Sequence, residues 1–154
     1  MDLQIIHSGF LDHTCDIRSR ENETTLSMSW LGESATFRFN EEKYYLARRH
    51  LFSGEFLLQR DGQLLAAARK TSFLRRFEVD TSQQRLMLRA ASPFSSNFKV
   101  EVGGTEAGQV ASQRWFSRSF EASLPDWLSF PEEVFLIWLV LLVRRRSQSA
   151  AAPS

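Results

Sequence analysis

Ser129-Phe130-Pro131-Glu132-Glu133-Val134-Phe135-Leu136-Ile137-Trp138-Leu139-Val140-Leu141-Leu142-Val143-Arg144-Arg145-Arg146 is the stretch whose reading decides the fold. Proline belongs in a first helical turn, Ser129 with Glu132 three residues on makes a capping box, and the acids and arginines suit opposite ends of a helix dipole. Between these signals lie ten consecutive apolar residues, Val134 to Val143, with no polar face. A helix that is apolar all the way round must be surrounded, by lipid or by its own protein. At about 1.5 Å per residue the run covers roughly 15 Å, whereas a bilayer core is about 30 Å thick and needs about 20 apolar residues. The spacing therefore predicts a helix over 131–146 buried in a protein core.

The chain upstream has the period of strands. Leu26, Met28 and Trp30 alternate with Ser27 and Ser29, and Ala35, Phe37 and Phe39 alternate with Thr36, Arg38 and Asn40. Asp61-Gly62 between Phe56-Leu57-Leu58 and Leu64-Leu65-Ala66 is a two-residue hairpin signal. Phe73 to Val79, Leu86 to Leu88, Phe98 to Val102 and Trp115 to Ala122 read as further strands, and Gly103-Gly104 with Gly108 reads as a turn between strands. Residues 56–59, 62–64 and 72–78 recur as 98–101, 108–110 and 115–121, an internal repeat of strand, turn, strand and strand. An eight-stranded barrel is filled by its own side chains, so one that encloses a helix needs on the order of eleven or twelve. The expected fold is mainly β, a closed antiparallel barrel of about twelve strands around a hydrophobic C-terminal helix. Residues 1–25 are expected to be a partly mobile N-terminal segment, 26–146 the barrel with its central helix, and 147–154 a disordered tail.

Composition limits what such a barrel does. The chain has 154 residues, 43% of them hydrophobic and 24% charged, which suits one globular domain, and its thirteen Phe and four Trp imply a bulky interior. A net charge of +1 gives no global field toward nucleic acid or membrane. Locally the charge is uneven: residues 1–42 carry eight acids and three bases, net −5, while 43–76 carry eight bases and two acids, net +6. Cys15 is the only cysteine, which excludes an internal disulfide and suits a reducing compartment. No basic-then-apolar leader follows Met1, so a cytoplasmic protein, soluble as a monomer or small oligomer and at most peripheral to a membrane, is expected.

Catalytic and metal signals are thin. His7, Asp12, His13, Cys15 and Asp16 bring metal-ligand residue types together, but at no zinc-site spacing. Cys15 with His7 or His13 lacks a positioned third group for nucleophilic catalysis. Glu132 and Glu133, adjacent on a helix, point about 100° apart and are explained by helix-start chemistry. No phosphate loop, serine elbow or dinucleotide fingerprint occurs. The reading is a non-enzymatic protein with no catalytic residue, no metal and no cofactor. Its candidate site is a basic patch of Arg48, Arg49, Arg69, Lys70, Arg75 and Arg76, of the kind that attracts lipid headgroup phosphates. Nucleic acid is disfavoured, because the aromatics alternate inward and offer no stacking platform.

Phe56 to Ala66, the Arg75-Arg76-Phe77-Glu78-Val79 strand, Gly108-Gln109-Val110 and Pro131 to Leu142, in that order, resemble the tubby C-terminal-like superfamily, especially its LURP-one-related and phospholipid-scramblase-like members. The resemblance covers roughly residues 26–146. It implies a twelve-stranded antiparallel barrel around a hydrophobic helix, and binding of anionic lipid or phosphoinositide headgroups, with a scramblase-like membrane protein or a protein-interaction barrel as alternatives. The chain departs from the scramblase pattern: before the helix it has Asp126, Glu132 and Glu133 but no acidic run like a calcium loop, and it has no cysteine cluster for palmitoylation.

Overall fold

Burial alternates residue by residue along the strands, and this sorts each one into an inner and an outer face. In Glu23–Ser29, for example, Thr24, Leu26 and Met28 are buried while Ser27 and Ser29 are exposed. In the computed structural model the described residues are 2–7, 13–50, 53–72, 76–92, 97–111 and 119–151, without the side chains of His7, Ser72 and residues 147–151. They form β1 (Asp2–His7), β2 (Thr14–Arg18), β3 (Glu23–Ser29), β4 (Ser34–Phe39), β5 (Glu42–Arg48), β6 (Glu55–Arg60), β7 (Gln63–Ser72), β8 (Arg76–Asp80), β9 (Arg85–Ala90), β10 (Phe98–Val102), β11 (Thr105–Ala111), β12 (Ser119–Ser123) and one helix, α1 (Phe130–Ala151). Each strand pairs antiparallel with the next, and β1 lies between β12 and β2, so the sheet closes on itself.

The expected boundaries shift at both termini. The first 25 residues are not a separate segment: Leu3 pairs with Ala122 and Ile5 with Phe120, while Cys15 pairs with Leu26 on the other side. Leu3, Ile5, Cys15 and Ile17 all face the core, so this region supplies the two strands that close the barrel. At the other terminus α1 continues past Arg146 to Ala151.

The interior belongs to α1. Every residue from Phe130 to Val143 is buried, and Val134 to Val140 have no solvent exposure at all. Strands on all sides reach it. Phe39 packs on Phe130, Phe56 meets Trp138 edge-on, and Phe120 lies under the Arg144 guanidinium at 4.2 Å. At about 1.5–3 kcal/mol for each large apolar side chain buried, the eleven buried apolar residues of this helix contribute a large share of core stabilisation beside the inward faces of the strands.

Three hairpins turn through two residues with positive φ: Asn40-Glu41 (52° and 66°), Asp61-Gly62 (51° and 76°) and Gly103-Gly104 (60° and 82°). This is the turn that matches the twist of paired strands, and it favours glycine and asparagine. Glu41 is the residue that holds it against preference. Gly108 lies inside β11 and not in a turn, a departure from the sequence reading. A Cβ there would stand 2.4 Å from the Ser123 carbonyl oxygen, so only glycine lets β11 and the end of β12 approach.

The repeat has a structural counterpart, displaced from part of its sequence alignment. The units β6-β7-β8 and β10-β11-β12 correspond, and each has a register shift, after Leu58 in β6 and after Val100 in β10. Those positions are 42 residues apart, as are Gly62 and Gly104 in the turns. Gly62 thus corresponds to Gly104, and its match to Gly108 is coincidental. The bulges bend the strands as a closed barrel requires.

Candidate anion-binding end of the barrel

Because the strands alternate in direction, the two ends of the barrel are built differently. The end where α1 enters has the three two-residue turns, together with Ser19–Asn22 and Thr81–Gln84. The end where α1 leaves has the longer connections after β1, β5, β9 and β11.

The entry end holds charges of both signs with acids in excess, since Arg18, Arg20, Arg38, Lys43, Arg60 and Arg85 lie there too. Glu21, Glu41, Asp61 and Asp126 lie there, with Glu132 and Glu133 in the first turn of α1. Glu132 has two tasks. Its Oε1 accepts from the Ser129 amide (3.0 Å) and hydroxyl (2.9 Å), while Ser129 Oγ accepts from the Glu132 amide, the expected capping box. Its Oε2 accepts from the Ser82 amide at 2.8 Å, tying the helix start to the turn between β8 and β9. Glu133 is buried, and among the described residues neither carboxylate oxygen has a hydrogen-bond partner. Burial raises its pKa to about 7.

The exit end gathers the basic candidates. Arg48 and Arg49 close β5, Arg69 and Lys70 lie in the last part of β7, and Arg76 opens β8. Arg75 lies outside the described residues. Arg89, near the end of β9, and Arg144 to Arg146 of the helix join them, the latter carried there by the length of α1. The arginine triplet was visible in the sequence, but only the passage of the helix through the barrel places it beside Trp30, Phe56 of β6 and Phe120 of β12.

Their side chains do not converge on one pocket. Arg48 follows the inward face of Tyr44 and Leu46, and its guanidinium pairs with Glu33 beside the Phe56 ring. The same carboxylate accepts from Arg146 Nε at 2.7 Å and Nη2 at 2.8 Å. Burial, and then the neighbouring Arg146, pulls Arg48 below the usual guanidinium range; burial does the same to Arg146. Arg48 therefore belongs to a clamp that fixes the helix exit, not to an open patch. Lys70 follows the inward face of Ala66 and Ala68. Arg49 meets Glu55 at 2.7 Å and Arg69 meets Glu78 across the β7–β8 ladder at 2.5 Å. Glu78 also takes Arg85, which bonds Asp80, and Arg89 pairs with Glu101 at 2.6 Å. Arg76 is exposed and has no ion pair among the described residues.

The other candidates have simple surroundings. Cys15 is buried, and burial, followed by the adjacent Asp16, pushes its thiol up to about 12, so it is protonated at neutral pH and is a poor nucleophile. Asp16 accepts from Thr25 Oγ1 at 2.8 Å. Asp12 lies outside the described residues, as does the His7 side chain. Among the described residues no three His, Cys, Asp or Glu side chains group as for a metal ion. Open grooves line the outer wall, one of about 650 Å³ over Asp16, Arg18, Thr25, Arg38 and Lys43 with charges of both signs. No described helix is long and apolar enough to cross a membrane.

Comparison with known proteins finds no matching family model, no matching curated protein and no matching solved structure.

Proposed function

We propose that this barrel is a non-enzymatic binding module for anionic lipid headgroups, attached peripherally at the basic end where α1 emerges. The observation that carries the reading is an imbalance of charge along the barrel axis: an excess of bases at one end, from β5, β7, β8 and the helix, and an excess of acids at the other, from the turns and the helix start. A dipolar particle of this kind is oriented by a negative surface, and each basic residue near such a surface contributes on the order of 1 kcal/mol. A filled barrel has no room for a ligand inside, so binding falls to its exterior. Twelve strands around an apolar C-terminal helix also support the tubby-like reading, whose members include phosphoinositide-binding proteins.

The alternative is a protein-interaction barrel. It draws on the ion pairs Arg69–Glu78, Arg85–Asp80 and Arg89–Glu101, which satisfy much of the outer wall of β7 to β10 internally. A sedimentation titration separates the two. The full chain binds phosphatidylcholine vesicles containing phosphatidylserine, fails to bind phosphatidylcholine alone, and loses affinity as salt is raised, because exposed charges are screened over about 10 Å at 0.1 M salt. Indifference to both vesicle types leaves the interaction barrel in front.

A further inference from the structure

Leu31 is a large apolar residue with nothing over it: its relative exposure is 102%, against 37% to 48% for Ile6, Tyr45 and Leu64. It stands at the tip of the turn Trp30-Leu31-Gly32-Glu33 between β3 and β4, at the exit end. The turn is braced from below. Arg145 lies over the Trp30 ring at 5.7 Å, and Glu33, the one acid of the turn, is held by both Arg48 and Arg146. The acid of this turn is thus neutralised by two cations of the barrel rim. Single exposed leucines are ordinary on protein surfaces. Here the leucine crowns the basic end of a charge-imbalanced barrel, above an amphipathic tryptophan, which is the residue order of a bilayer interface.

Sequence and connectivity add an independent contrast between the ends. At the exit end the described turn between β3 and β4 carries the bulky apolar pair Trp30-Leu31. The turns at the entry end read Arg20-Glu21, Asn40-Glu41, Asp61-Gly62, Ser82-Gln83 and Gly103-Gly104. Only the described Trp30-Leu31 turn and the exposed rim arginines Arg49 and Arg76 make up the surface assigned below.

From this, and resting on the headgroup-binding reading above, we infer that the barrel docks end-on to an anionic membrane, with the axis of α1 steeply inclined to the surface and the Leu31 side chain inserted below the headgroups. Arginines at the rim meet phosphates while the leucine leaves water, so the contact combines a salt-dependent with a salt-independent contribution.

The test is made on the full chain with an environment-sensitive thiol dye at Leu31→Cys or, at the entry end, Arg20→Cys, both in a Cys15→Ser background. Vesicles are phosphatidylcholine with phosphatidylserine, with and without brominated acyl chains. The dye at position 31 shifts to the blue and is quenched by bromine; the dye at position 20 does neither. Leu31→Glu, in the otherwise unchanged chain, weakens vesicle binding roughly tenfold or more while its thermal melt matches wild type, because the side chain touches nothing in the fold. Binding that persists with position 31 unquenched, or with position 20 quenched, overturns the end-on orientation and leaves headgroup binding standing. Absence of any binding by wild type overturns both.

Discussion

Glu133 sets how the stability of this protein responds to pH. Its carboxyl titrates near 7 in the fold against an ordinary 4.5, chiefly because burial penalises the charged form, with Asp126 adding to the effect. Between those two values the folded chain holds a proton that the unfolded chain has released. Its contribution to stability is therefore largest below about pH 4.5, falls as pH rises through 7, and is level above. Glu133→Gln removes this slope and is more stable than wild type at about pH 8; urea midpoints measured from about pH 5 to 8 check it. A wild-type midpoint that rises through that window contradicts the assignment. Arg48 teaches the complementary lesson. Tyr44, Leu46 and Arg48 share one face of β5, so strict alternation in the sequence already pointed Arg48 inward. Net charge over residues 43–76 suggested a surface patch instead, because a sum over a segment ignores which side of the strand each residue takes. The partner of Arg48 was not legible at all, since Glu33 lies in another turn and Arg146 on the helix.

Among the elements, α1 was the most legible, because its start signal and its apolar run are local in sequence. The Ser129 and Glu132 capping box is present, and the helix is enclosed by protein. Hairpins through Asp61-Gly62 and Gly103-Gly104 were legible for the same reason. Asn40-Glu41 was less so, because a glutamate at φ 66° is not a residue that announces a tight turn. β1 and β2 were missed as strands of the barrel. Leu3 and Ile5 give only a short alternation, and the pairing that makes them a strand comes from β12, more than a hundred residues away. The role of α1 gives a direct expectation. A chain ending before Pro131 loses the side chains that fill the barrel, leaves a void far beyond any that single core substitutions create, and does not fold cooperatively. Circular dichroism melting of residues 1–130 checks it; a sigmoidal, native-like melt contradicts the account of the core.

Over the whole molecule, charge is arranged by topology and not by blocks of sequence. The basic block 43–76 contains Lys43 and Arg60, which lie toward the entry end, as well as Arg49 and Arg76, which lie at the exit end. Helix arginines from far down the chain complete the basic end. The poles are therefore invisible until the alternation of strand direction and the course of α1 are known, although every residue that forms them was in plain view. The same holds for the repeat, whose bulges in β6 and β10 correspond where the sequence alignment of its glycines had slipped. The central claim is that location, not total charge, governs binding to an anionic surface, and paired charge reversals of equal size test it. Arg49→Glu with Arg76→Glu at the exit end is compared with Arg20→Glu plus Arg38→Glu at the entry end, two proteins of identical net charge, by titration with phosphatidylserine-containing vesicles at moderate salt. The account predicts that the exit-end pair binds at least about tenfold more weakly than wild type while the entry-end pair stays within about twofold, both folding as wild type does, since exposed charges contribute little to stability. Equal loss from both pairs, or no loss from the exit-end pair, would contradict it.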